Sequence, residues 1–113
     1  MLNFESALPK HLFGPSKIQE FISEIKAPGV DVIWYDALTL LNTVHYQNGL
    51  TLLNAPYLHA ADGLFTNYFW RDAQIWTTAS MANAMGRLKD VFVGVDCYWL
   101  FGGFGCGWLG ALL

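Results

Sequence analysis

Residues 30–36 read Val30-Asp31-Val32-Ile33-Trp34-Tyr35-Asp36, a β-branched and aromatic run that follows Ala27-Pro28-Gly29 and closes on an acid. The run is apolar at successive positions more than it alternates, which suits a strand buried on both faces of a parallel sheet. Two further runs of this kind follow, Gly63-Leu64-Phe65-Thr66-Asn67-Tyr68 and Val91-Phe92-Val93-Gly94-Val95, and Leu2-Asn3-Phe4-Glu5 stands one interval earlier. Their starts lie about 30 residues apart, the length of one strand-and-helix unit. Helical patterns fill the intervals. From Pro15 to Lys26, Ile18, Phe21, Ile22 and Ile25 fall on one stripe, with Pro15 suited to a first turn and Ala27-Pro28-Gly29 stopping the helix. From Asp72 to Arg87, Ile75, Ala79, Ala82 and Met85 form a second stripe, with Gly86 near the end. A shorter helix is expected between Leu50 and Ala61, interrupted at Pro56. The fold class is therefore α/β, built of β/α units.

Parallel crossover units make either a doubly wound sheet or a (β/α)8 barrel. The strand ends favour the barrel: the apolar runs close on Glu5, Asp36, Asn67 and Asp96, and barrels place their chemistry at the carboxyl ends of several strands. Helix N-capping is the plainer explanation of any one of these residues. No glycine-rich phosphate loop follows a strand, which argues against a nucleotide fold. A complete barrel needs about 250 residues. The 113 residues present supply four runs, so the expectation is a partial (β/α)8 TIM barrel over residues 1–98 followed by a divergent apolar tail over 99–113. Such a piece leaves two sheet edges and a broad apolar face open.

Composition narrows the function. Only 13% of residues are charged, against about 25% in ordinary soluble domains, and 54% are hydrophobic. That excludes a disordered chain. A net charge of −3 without any Lys/Arg cluster disfavours nucleic acid and polybasic membrane contact. Cys97 and Cys106 are too few for a disulfide scaffold and are read as free thiols. The first five residues are acidic and lack the apolar core of a signal peptide. The uncharged stretch from Cys97 to Leu113 contains five glycines, and at the lower limit of a membrane-spanning length it is a poor candidate for one. His11, His45 and His59 share no metal spacing, so neither a metal nor any other cofactor is expected.

Several segments carry a resemblance when taken in order. Leu2-Asn3-Phe4-Glu5 is similar to a strand-end Asn-x-Glu, and Trp34-Tyr35-Asp36-Ala37-Leu38-Thr39 to a Trp-Tyr-Asp-Ser motif. Tyr46-Gln47-Asn48-Gly49-Leu50 matches a Trp-Gln-Asn/Asp-x-Leu segment at the same eleven-residue step after the tyrosine. Asp62-Gly63-Leu64-Phe65-Thr66-Asn67-Tyr68-Phe69-Trp70 and Asp90-Val91-Phe92-Val93-Gly94-Val95-Asp96 complete the set. Together, over positions 2–96, they resemble glycoside hydrolase family 85, the endo-β-N-acetylglucosaminidases. Tyr46 stands where that family usually has Trp, and Gly49 where a Glu is common. From Cys97 onward the motifs stop, as they would at an alternative or mis-spliced end of a truncated gene model.

Cleaving a glycosidic bond needs an acid at the leaving oxygen and a group that stabilises the anomeric cation. Positions i and i+2 of a strand share a face, so Asn3 sets an amide beside the single acid Glu5, an arrangement suited to participation by the substrate's own 2-acetamido group. The resemblance implies that Asn3 orients the acetamide, that Glu5 protonates the leaving sugar and then activates water, and that Tyr35 holds the acetamide. A capped turn (Asn3, Glu5) and a buried aromatic (Tyr35) are the structural alternatives. Tyr46 and Trp70 are candidate platforms for pyranose rings, although core packing also uses aromatics. Asp36, Asn67 and Asp96 either bind sugar hydroxyls or brace the strand ends. The resemblance further implies N-linked glycans or free oligosaccharides as partners, hydrolysis of the GlcNAc-β-1,4-GlcNAc bond of the N-glycan core, and a cytosolic setting. The alternative is an inactive fragment acting at most as a glycan-binding or interaction module.

Overall fold

A computed structural model describes residues 1–96 and the backbone of 109–112. The order of elements is α1 (Pro15–Ile25), β1 (Ile33–Tyr35), α2 (Ala55–Ala60), β2 (Gly63–Thr66), α3 (Asp72–Ala84), a 3-10 turn (Leu88–Asp90), β3 (Val91–Val95) and β4 (Leu109–Leu112). The three expected parallel strands are adjacent and in order, with Trp34 paired to Leu64 and Leu64 to Val91. The sheet is α/β and parallel across these strands, and β4 then runs antiparallel along β3. The expected first strand is reduced to a parallel bridge. Leu2 N–H donates to the Ile33 carbonyl at 2.7 Å and the Leu2 carbonyl accepts from Tyr35 N–H at 2.8 Å, which carries Asn3 and Glu5 along the edge of β1. Cys97, Cys106 and the apolar tail lie outside the described residues, apart from the backbone of β4. Among the described residues no helix is long and apolar enough to cross a membrane.

Pleating separates two faces. Trp34, Leu64, Val91, Thr66 and Val93 point towards the helices and are buried. Trp34 anchors this side, stacked on Tyr57 at 4.1 Å and tilted against Phe4 at 5.4 Å, with Ile18 and Ile22 of α1 in the same core. Ile33, Phe65 and Phe92 project from the opposite face and, with Met1, line an open apolar recess of about 410 Å³. Among the described residues the helices cover one face of the strands and the other stays open, as a partial barrel would leave it.

Pro56 does not interrupt α2: it lies in its first turn, where a missing N–H costs nothing because that N–H has no helical partner. The stripe Ile75, Ala79, Ala82 and Met85 does turn α3 inwards, while Trp76 on the outer side is 72% exposed. The beginning of β1 is tied down by Asp62, which accepts Val32 N–H at 2.7 Å and pairs with Lys26 at 2.9 Å. The Val32 N–H bond, then Lys26, holds the Asp62 carboxyl below the usual carboxylate range.

Candidate functional site

The carboxyl ends of the Leu2 segment, β1 and β2 bring together five of the eight residues singled out by sequence: Asn3, Glu5, Tyr35, Tyr46 and Asn67. Asn3 and Glu5 are exposed. Asn3 Nδ2 donates to Glu5 Oε1 at 2.8 Å, and the Tyr46 hydroxyl donates to Glu5 Oε2 at 2.6 Å. Each carboxylate oxygen of Glu5 therefore meets one donor, an amide from its own segment and a phenol from the loop after β1. The Tyr46 phenol is pushed up from its ordinary value, chiefly by that bond to Glu5.

Tyr35 is half-buried at the end of β1, its ring parallel to Phe65 at 6.1 Å and edge-on to Tyr46 at 6.4 Å. Its hydroxyl donates to Asn67 Oδ1 at 2.9 Å. Burial, reinforced by the fields of Tyr46, Glu5 and Asp36, pushes the Tyr35 phenol up to about 12. At neutral pH it is a fixed hydrogen-bond donor.

Asp36 and Asn67 both take part in hydrogen bonds that link the strand ends to the loop after β1. Asp36 is 1% exposed. Its Oδ1 accepts Gln47 N–H at 3.0 Å and Asn54 Nδ2 at 3.3 Å; its Oδ2 accepts Asn48 N–H at 2.7 Å and Asn67 N–H at 3.3 Å. Burial raises the Asp36 carboxyl and these four donors oppose the shift. Both oxygens of Asp36 are thus engaged within the protein. Asn67 is also buried, and its Nδ2 donates to Asn48 Oδ1 at 2.9 Å while its oxygen serves Tyr35. Trp70 is half-buried, and its indole N–H donates to the Gly94 carbonyl at 2.7 Å, which fastens the chain after β2 to β3. Asp96 follows β3 and is half-buried.

Three contributors were not singled out from sequence. Asn48 has φ 55°, and its Oδ1 accepts both Asn67 Nδ2 and Phe69 N–H. The signal for it was the Asn48-Gly49 pair, since asparagine tolerates the left-handed region where a turn needs it. Tyr68 and Phe69 form an exposed aromatic lip, 5.1 Å between ring centres, with Phe69 71% exposed. An aromatic outside the apolar pattern of its strand is visible in sequence, but its direction is not. The three histidines are all exposed.

A family model for glycosyl hydrolase family 85 matches residues 1–107, beyond the last of the ordered motifs and into the stretch set apart as a tail. The chain is 36% identical over 96 residues to cytosolic endo-beta-N-acetylglucosaminidase 2 of Arabidopsis thaliana, a match covering 80% of this chain and 13% of that protein. Against the cytosolic endo-beta-N-acetylglucosaminidase of Gallus gallus it is 34% identical over 104 residues, 87% of this chain and 14% of that one. The chain thus spans about one seventh of the length of these relatives. Among solved structures, the Endo-D glycoside hydrolase domain of Streptococcus pneumoniae R6 superposes with a TM-score of 0.57 at 28% identity, covering 74% of this chain and 14% of that one.

Proposed function

The chain belongs to glycosyl hydrolase family 85, and from that premise we propose that it carries the acid–amide pair of an endo-β-N-acetylglucosaminidase, cleaving the GlcNAc-β-1,4-GlcNAc bond of the N-glycan core with the substrate's acetamide as nucleophile. The observation that carries this reading is the hydrogen bond from Asn3 to Glu5 at an exposed strand end. The acetamide oxygen attacks the anomeric carbon as the bond to the leaving sugar breaks, and Glu5 gives its proton to that leaving oxygen. Water then attacks the same carbon, Glu5 takes its proton, and the acetamide is restored. Asn3 orients the acetamide, and the phenol of Tyr35, which stays protonated at neutral pH, steadies it. Tyr46 and Trp70 offer ring faces to the glycan.

The parallel strands with their site at the carboxyl ends support an arc of a (β/α)8 barrel. N-linked glycans or free oligosaccharides are the partners, and the cytosol is the setting, after the names of the relatives. A second reading, glycan binding without turnover, is favoured by the exposure of Asn3 and Glu5, because catalysis needs the reacting groups held firmly in position.

The test is titration of the chain with a labelled glycopeptide bearing the chitobiose core, followed by NMR and by release of the glycan. Shifts at Asn3, Glu5, Tyr35 and Tyr46 with release abolished by Glu5→Gln support the first reading. The same shifts without release leave the second. No shift at these residues refutes both.

A further inference from the structure

The two phenols of the site hang from different segments, and one buried carboxylate bonds both the loop that carries Tyr46 and the residue that holds the Tyr35 hydroxyl. Tyr46 lies in the loop after β1 and is followed directly by Gln47 and Asn48, whose N–H groups both end on Asp36. Asn67 closes β2, holds the Tyr35 hydroxyl, and gives its own N–H to Asp36 Oδ2. Asn54, also buried, donates from one amide to Asp36 Oδ1 and to the Gly49 carbonyl, closing the loop from behind at 3.3 and 2.8 Å. Asn48 adds a direct strut from the loop to Asn67 at 2.9 Å. Removing the charge or an acceptor from such a centre leaves buried donors without partners.

We propose that Asp36 is the positioning residue of this site: its carboxylate fixes the loop of Tyr46 against the end of β2, and so holds Tyr46 on Glu5 and Asn67 on Tyr35. The proposal rests on the glycosidase reading for its purpose, but the geometry it asserts is measurable without any glycan. Asp36 touches no substrate; it acts through the two phenols that do.

The experiment labels the tyrosine ring carbons of the chain and follows their titration by NMR in the wild type, in Glu5→Gln and in Asp36→Asn. Asp36→Asn keeps the shape and one acceptor but turns an amide N–H towards the donors of Asn48 and Asn67. The expected result is that Asp36→Asn, still folded by circular dichroism, lowers both midpoints, as loss of the Asp36 field alone also does, and in addition loses the ring-to-ring NOE between Tyr35 and Tyr46, which stand edge-on at 6.4 Å. A folded Asp36→Asn that keeps the Tyr35–Tyr46 NOE overturns the proposal and reduces Asp36 to loop packing. If Asp36→Asn does not fold, Asn48→Gly decides. Its backbone already has φ 55°, so glycine is unstrained there, and loss of the strut is expected to move Tyr35 but not Tyr46. Movement of neither phenol overturns the proposal. Absence of glycan release by the wild type bears on the glycosidase reading alone and leaves these titrations unchanged.

Discussion

Gly49 stands in the loop that carries Tyr46, and its substitution by alanine tests how tightly that loop is packed. A methyl group there would lie 2.4 Å from Thr78 Oγ1 and 3.5 Å from the Gln74 carbonyl oxygen, and real contacts to a Cβ do not fall below 3.0 Å. Thr78 is 1% exposed, and its Oγ1 accepts Leu50 N–H at 2.9 Å. The chain has two ways out. Moving the loop away from α3 incurs an overpacking cost of about 1–3 kcal/mol. Turning Thr78 aside instead orphans the buried Leu50 N–H, at about 1–3 kcal/mol. Gly49→Ala is therefore expected to lose about 1–3 kcal/mol, whichever of the two adjustments is the cheaper. Thr78→Ala relieves the clash but orphans the same N–H, so the double variant should cost less than the sum of the singles, by about 0.5–3 kcal/mol. Urea unfolding followed by circular dichroism measures all four proteins. A Gly49→Ala protein within about 0.5 kcal/mol of wild type, or strictly additive costs, would refute the reasoning.

Trp34→Ala should cost about 3–5 kcal/mol, the range for emptying a buried aromatic site, whereas Trp34→Phe should cost far less. Among the described residues its buried indole N–H has no hydrogen-bond partner, so losing it recovers part of a penalty of about 1–3 kcal/mol; equal costs in denaturant would count against this. Burial pushes the phenols of Tyr35 and Tyr57 up to about 12 from 10.0. Their folded values exceed the unfolded one, so their contribution is whole below pH 10 and is lost as pH rises towards 12; Tyr57→Phe should flatten that loss in unfolding curves compared at pH 9 and 11. Phe92→Glu places a charge in the recess shared with Met1, Ile33 and Phe65 and should reduce concentration-dependent association in sedimentation; an unchanged profile would show that this face is not where copies meet.

The regular spacing of β-branched runs made β1, β2 and β3 legible, because a buried parallel strand and the helix after it each have their own period. Boundaries were less so: β1 takes only Ile33–Tyr35 of its run, since Asp62 takes Val32 N–H before the sheet does. Pro56 was misread because proline interrupts a helix interior but starts a first turn equally well, and only the position of Asn54 as the cap decides which. The pair Asn3 and Glu5 was legible as a period-two motif. Asp36 was not, for a physical reason: a strand-end acid looks the same in sequence whether the loop beyond it folds outwards or back over it. The loop residues that settle its fate, Gln47, Asn48 and Asn54, offer backbone and amide donors that no pattern of hydrophobicity records.

That distinction between two strand-end acids bears directly on the proposed chemistry. Glu5 and Asp36 end neighbouring segments of the sheet, and a conventional glycosidase would set two such acids to work as acid and nucleophile. Here their surroundings diverge. Glu5 is exposed, with an amide and a phenol on its two oxygens. Asp36 is buried, and four donors occupy its carboxylate. To attack an anomeric carbon, Asp36 would have to shed those donors and release the loop that holds Tyr46 on Glu5, disarming one partner to free the other. The neighbouring acids thus suit one proton donor and one brace, and the proposed route accordingly takes its nucleophile from the substrate's acetamide.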